Sequence, residues 1–255
     1  MSNKQEEPKY LLANVGAEVD RLTKQHAWLQ KCLDGQIVFG PVDLGKPDLR
    51  VLDVGCADGI LLRDLRKGVA PSAELVGLDV TPSFLPPNDP GPPAIRYAVH
   101  DICDPVPANM ANTFDFTHVR FVMAGASKSG IAEAVRNLVG SVAPGGWLQI
   151  QEMDLSPNTP GCTPALEDMK SVLRSLFEKT GADPLFAKNL AKMLEDAGLQ
   201  NVAVKKVKYW VGKGMGENQA DVEASIASVK LTIPAILGGA ASTFALFRFL
   251  VNHFE

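Results

Sequence analysis

The sequence predicts an α/β protein built on a doubly wound, mostly parallel sheet of the Rossmann-like kind. Three observations carry this. Strand-like and helix-like stretches alternate from residue 50 to 211, the pattern of parallel strands joined by crossover helices. The stretch Val51-Leu52-Asp53-Val54-Gly55-Cys56-Ala57-Asp58-Gly59 runs from an apolar strand into a small-residue loop. Ile60-Leu61-Leu62-Arg63-Asp64-Leu65 then places apolar residues at helical spacing. The next strand-like run ends in Asp79, about twenty residues beyond the loop, where a carboxylate can accept both hydroxyls of a ribose. Such a loop lets backbone approach a ligand closely, and the helix start presents free N–H groups.

The elements follow in order. Residues 1–9 are polar and read as a disordered tail. From Tyr10 to Gly35 a helix forms, because Leu12, Val15, Val19, Leu22, His26 and Leu29 fall on one face. Residues 40–48 are a Pro/Gly linker, so 10–48 form a helical cap ahead of the core. Strand 1 is 50–54 and its helix about 59–67. Strand 2 is 74–79. Six prolines between 82 and 93 exclude a regular helix. Strand 3 is 95–99, strand 4 is 114–119, and a helix spans 131–142. Ala143-Pro144-Gly145-Gly146 reads as a turn into strand 5, Trp147 to Met153. The core therefore covers 49–154. Residues 155–182, with three prolines and a helix at 165–179, read as an inserted lid. A helix at 185–197 and an alternating Val/Lys strand at 202–211 end the core at 212. Residues 213–255 read as C-terminal helices, broken at Pro234.

The loop discriminates between ligands. A dinucleotide fingerprint needs a third glycine where Ile60 stands, and a phosphate loop needs a Gly-Lys-Ser/Thr that is absent here. Asp53-x-Gly55-x-Ala57-x-Gly59 resembles motif I of the class I S-adenosylmethionine-dependent methyltransferases, with Ala57 in place of the central glycine. The text Glu18-Val19-x-Arg21-Leu22-x-x-Gln25-His26 resembles a segment that precedes motif I in methyltransferases of fungal secondary metabolism. Phe114-Asp115-x-x-His118-x-Arg120 resembles the end of their strand 4, and Pro144-Gly145-Gly146 stands before strand 5 as in that family. The resemblance covers residues 10 to about 211. It implies S-adenosylmethionine as cofactor, held by Asp53, Gly55, Cys56, Ala57 and Gly59, by Asp79 and Val80, by Asp101 and Ile102, and by Val119 and Arg120. Arg120 could instead orient a substrate or brace an acid such as Glu152. The class I fold ends with a strand 7, and no β-rich run follows Val211, so that strand is expected to be missing.

Composition narrows the partners. A net charge of −4 gives no electrostatic reason to expect nucleic acid, since phosphate binders carry basic patches. The cluster Lys205-Lys206-x-Lys208 reads as a solvated strand face. Cys32, Cys56, Cys103 and Cys162 include no Cys-x-x-Cys pair, so no metal site is expected. The N-terminus lacks a secretory signal, which makes the cytoplasm the expected compartment. The uncharged run Leu231 to Phe247 is diluted by Pro, Gly, Ser and Thr. It falls short of a membrane span and reads as a buried helix, with a membrane or homodimer contact as the alternative.

The first functional expectation is methyl transfer to a small hydrophobic molecule, by resemblance a secondary metabolite, on oxygen, nitrogen or sulfur. The cofactor carries an already activated methyl, so the protein mainly aligns the reactants. A general base helps only if the acceptor must lose a proton. His26 is the first candidate base, His118 the second and Glu152 the third. A packed helix-face histidine explains His26 about as well. The alternative is a methyltransferase-fold protein that does not methylate, either a cyclase/isomerase or a regulatory subunit. An NAD-dependent oxidoreductase fails on Ile60 and on the lack of a Tyr/Lys pair.

Overall fold

A computed structural model describes residues 15–126, 130–179 and 181–237. The chain enters through α1 (Val15–Cys32) and then alternates β1 (Arg50–Val54), α2 (Ile60–Leu65), β2 (Glu74–Asp79), β3 (Ala94–Val99), β4 (Phe114–Arg120), α3 (Ile131–Val139) and β5 (Val142–Gln151). It finishes with α4 (Pro164–Lys179), α5 (Leu190–Asp196) and α6 (Gln219–Leu237). The five strands form one all-parallel sheet in the order β3-β2-β1-β4-β5. The order reverses between β1 and β4, and ligands of open α/β sheets bind at such a switch point, outside the carboxyl ends of the strands.

β1 and β2 are buried along nearly their whole length, as strands covered on both faces must be. On one face Leu52, Val54, Val76, Leu78, Phe114 and Val119 meet Ile131, Ala134, Val135 and Leu138 of α3. Those α3 residues recur at the spacing of one helix face. On the other face Val51, Leu75, Ile95 and Phe116 meet Leu62 and Leu65 of α2. A third cluster ties the cap to the helices after β5, with Trp28 and Leu29 packed on Leu155, Met169, Leu173 and Val229. α1 and α6 are packed together within this layer.

The structure departs from the sequence expectations in places. Residues 202–211 are not a strand: among the described residues they pair with no strand of the sheet. The Val/Lys alternation there does not track burial: Val204 is mostly exposed, like Lys205, Lys206 and Lys208 around it. Ala143 to Gly146 is not a turn ahead of strand 5 but lies inside β5, as a bulge where the register steps from Phe114↔Val142 to Phe116↔Trp147. The helix expected at 131–142 ends at Val139, and that at 185–197 starts with a 3-10 turn, Phe186–Lys188. The expected break at Pro234 is absent from the backbone, since α6 continues to Leu237. The tail at 1–9, the start of the first helix at 10–14 and the stretch beyond 237 lie outside the described residues. No helix among those described is long and apolar enough to cross a membrane.

Candidate active site

Strand alternation and register put a polar layer at the switch point. Asp53, His118 and Gln149 stand opposite one another on β1, β4 and β5. Two residues on, Arg120 stands opposite Gln151, on the same face. Polar groups inside a sheet are costly unless each finds a partner. His118 Nδ1 lies 2.8 Å from Asp53 Oδ1, and both residues are buried. The Gln149 amide donates to the Ile37 carbonyl at 2.9 Å and accepts from the Phe39 N–H at 2.8 Å. The Gln151 amide donates to the Tyr209 hydroxyl. Tyr209 sits in the unpaired 202–211 segment, with its ring 5.8 Å from that of Trp28.

α1 supplies the roof. Its Glu18 and Arg21 form a buried two-bond pair at 2.8 and 2.6 Å. One turn further, His26 is clasped on both sides. Its Nε2 is 2.9 Å from Asp64 Oδ2, and its Nδ1 is 2.9 Å from the Arg120 guanidinium. A guanidinium only donates and a carboxylate only accepts. His26 is therefore the neutral tautomer, with its proton on Nε2. Burial first and Arg120 second push its pKa down, and Asp64 opposes them. Burial pushes the Asp64 carboxyl up, but Lys67 and His26 more than offset it and hold it below its ordinary value. Arg120, lowered by burial, touches no carboxylate of Glu152. The acid that acts on it is Asp53, which opposes that burial.

Glu152 is braced by backbone. Its Oε1 accepts the N–H groups of Val122 and Met123, both at 2.9 Å. Phe121 makes this turn by adopting φ 56°, a left-handed conformation rare for a bulky side chain. Burial pushes the Glu152 carboxyl up to about 7, against those backbone bonds.

The small-residue loop folds back on β2. The N–H groups of Gly55 and Cys56 both reach the Leu78 carbonyl, at 2.7 and 2.9 Å. Asp79 then ties the loop to its own turn, accepting from Ala57 N–H and from Thr81 N–H, each at 2.9 Å. Its oxygens keep lone pairs for further donors. Burial raises its pKa against those two bonds. Gly55 is required twice over: its φ is 74°, and a Cβ there would lie 2.1 Å from Val122 Cγ2. Gly59 has φ 74° and would meet the Tyr97 hydroxyl at 2.3 Å. Ala57 also has a positive φ, 48°, at the position where the motif has glycine. Burial first, then Asp53 and Asp79, push the Cys56 thiol far up, so it stays protonated.

A cavity of about 50 Å³ lies between this loop, α1 and β4. Of the residues expected to bind cofactor or react, Asp53, Gly55, Cys56, Ala57, His118 and Arg120 line it, together with Leu22 and Gln25 of α1 and Ile60 of α2. Ligand sites usually measure about 300–1,000 Å³, so it takes the end of a ligand and not a whole nucleoside. The others stand apart from its wall. Gly59 opens α2, and Asp79 and the half-buried Val80 follow from β2. Asp101 accepts from Cys103 N–H at 2.9 Å beyond β3. The side chains of Ile102 and Val119 are in the core against α3. Glu152 lies behind the Phe121 turn. His26 reaches the site through Arg120.

Sequence reasoning missed Asp64, Gln149, Gln151, Tyr209 and the turn at Phe121. The two glutamines carried a signal, since they alternate in an otherwise apolar strand on the face shared with His118 and Arg120.

Comparisons with known proteins agree with this geometry. The methyltransferase-domain family matches residues 24–204. The chain is 36% identical over 197 residues to the methyltransferase psoC of Aspergillus fumigatus, covering 77% of this chain and 70% of that protein. It is 34% identical to the N-methyltransferase sirN of Leptosphaeria maculans, covering 84% and 74%. In fold it is similar to the Haloferax volcanii complex between the Trm112 methyltransferase activator and a candidate methyltransferase. That TM-score is 0.52 at 15% identity, over 89% of this chain and 95% of the other. The residues present fit S-adenosylmethionine: small residues leave the loop backbone open, Asp79 keeps lone pairs for ribose hydroxyls, and Asp53 gives the cavity an acid for a cationic ligand end. The chain belongs to the methyltransferase-domain family, and its cofactor is S-adenosylmethionine.

Proposed function

We propose that the chain transfers the methyl group of S-adenosylmethionine to a small hydrophobic acceptor of secondary metabolism. The observation that carries this is the cavity where Asp53, His118 and Arg120, at the carboxyl ends of β1 and β4, meet the Gly55–Gly59 loop. A nitrogen acceptor is the first reading, because sirN and the similar gliN of Aspergillus fumigatus are named N-methyltransferases.

The cofactor, when bound, supplies a methyl already activated on a sulfonium, so the protein chiefly positions. The Gly55–Gly59 loop and Asp79 would hold the nucleoside. Asp101 and Ile102 would bound its base. Arg120 would face a carboxylate, and His26, with both ring nitrogens engaged, would act as a positioning residue for Arg120. Residues 155–182, bearing α4, would form a lid over the acceptor, because Leu155, Met169 and Leu173 join α1 and α6 in an apolar cluster. The test is mass analysis after incubation with S-adenosylmethionine carrying a deuterated methyl and a panel of hydrophobic amines and phenols. Gain of one labelled methyl supports the reading. An isomer of unchanged mass contradicts it.

A further inference from the structure

Three groups stood as candidate bases, and their surroundings separate them. His26 has Nδ1 taken by Arg120 and Nε2 taken by Asp64. Glu152 has its Oε1 filled by two backbone N–H groups behind the Phe121 turn. His118 differs. An ionised Asp53 only accepts, so the 2.8 Å contact places the His118 proton on Nδ1 and leaves a bare lone pair on Nε2. That nitrogen is buried and has no hydrogen-bond partner among the described residues. His118 is 1% exposed and lines the cavity beside the Gly55 loop. Its neighbour on β5, Gln149, donates to Ile37 and accepts from Phe39 and makes no bond to it.

An unsatisfied buried polar atom is costly, and such an atom lining a cavity needs a reason. The arrangement has a carboxylate fixing an imidazole so that its second nitrogen is an uncommitted acceptor, the logic by which a carboxylate orients a histidine base. We infer that His118, oriented by Asp53, is the proton acceptor of the reaction, and that the acceptor substrate is a nucleophile that must lose a proton, an amine or a hydroxyl, and not a thiolate. This rests on the methyl-transfer reading above. In the step, the acceptor's lone pair forms a bond to the methyl carbon while the carbon–sulfur bond breaks. The bond pair stays on sulfur, leaving a neutral thioether. The proton leaves the acceptor for His118 Nε2, and the imidazolium so formed is paired with Asp53 before it releases the proton to water. The charged and titratable groups that line the cavity with His118 are Asp53 from β1, Arg120 from β4, and Cys56 and Asp58 from the loop; His26 from α1 is joined to them through Arg120.

The test uses the full chain. S-adenosylhomocysteine is first titrated by calorimetry into the wild type and into His118→Asn. Binding to both within threefold is expected. A loss of tenfold or more in the variant makes His118 a cofactor-binding group and overturns the inference. No binding to the wild type is the separate failure of the methyl-transfer reading itself. Nitrogen NMR of the wild-type imidazoles in the S-adenosylhomocysteine complex at pH 8 does not depend on the variant's folding. It should show His118 protonated on Nδ1 and bare on Nε2, and a proton on Nε2 overturns the inference. Transfer to 2-naphthol, 2-naphthylamine and 2-naphthalenethiol, one apolar body with three nucleophiles, gives the third readout. His118→Asn should lower the first two by about 10²-fold or more and leave the thiol within threefold. Equal loss on all three, or a wild type that methylates only the thiol, overturns it. If the wild type methylates none, the NMR result decides.

Discussion

His26 Nδ1 accepts a hydrogen bond from the Arg120 guanidinium at 2.9 Å, joining the first helix to the end of the fourth strand. A second bond from Nε2 to Asp64 makes His26 the link between α1, α2 and β4. Replacing it with alanine removes both bonds and leaves a cavity in a buried place. His26→Ala should lose about 2–4 kcal/mol of stability by urea unfolding. It should lower methyl transfer at least tenfold while S-adenosylhomocysteine affinity changes less. Unaltered turnover would remove His26 from any role in the site.

The same residue sets an acid limit. Its pKa is lowered in the folded protein, so below the ordinary histidine value the unfolded chain binds a proton that the native chain resists. The contribution of His26 to stability is complete above about pH 6.5 and is lost as pH falls through its lowered folded value. Asp64 and Arg120 face it from α2 and β4. A pH series of urea midpoints should show a decline on acidification that His26→Gln reduces.

Glu152 has the opposite sign. Its carboxyl is pushed up to about 7 by burial, from an ordinary 4.5. Between those values the native state holds the proton more tightly, so ionisation costs stability as pH rises and the full cost applies above about pH 7. Glu152→Gln keeps an oxygen for the Val122 and Met123 N–H groups. It should be more stable than wild type at pH 8, by up to about 3 kcal/mol, and nearly equal at pH 4.5. Equal stability at both pH values would contradict the buried, partly protonated carboxyl.

The glycine loop gives a matched pair. Gly55→Ala must place a Cβ 2.1 Å from Val122 Cγ2 at a left-handed φ. It should cost about 1–3 kcal/mol and abolish S-adenosylhomocysteine binding. Ala57→Gly relieves a left-handed alanine while adding freedom to the unfolded chain, and these oppose each other. Its stability should stay within about 1 kcal/mol of wild type, with cofactor binding retained. Thermal unfolding with and without ligand separates the two outcomes.

Much of this architecture is legible in the residues. β1 and β2 announce themselves because strands buried on both faces are rich in Val and Leu. The acid at the end of β2 is legible from its distance to the loop. The segment at 202–211 shows the limit. A strand needs a neighbour within hydrogen-bonding reach, and the local Val/Lys alternation encodes neither that neighbour nor the exposure of Val204. The tie of Asp53 to His118, 65 residues on, arises only when the sheet register is known, and that of His26 to Asp64, 38 residues on, only when α1 is docked against α2. Gln149 and Gln151 fall between these cases: their alternation was visible, but their meaning depended on β4 lying beside them.

A bound S-adenosylmethionine would rest on the Gly55–Gly59 loop and Asp79. Calorimetric titration with S-adenosylhomocysteine, with NADH as control, tests it most directly. Saturable binding of S-adenosylhomocysteine, no binding of NADH, and a loss of at least tenfold in Asp79→Ala are expected. Binding of NADH, or no binding of S-adenosylhomocysteine to folded protein, would contradict it.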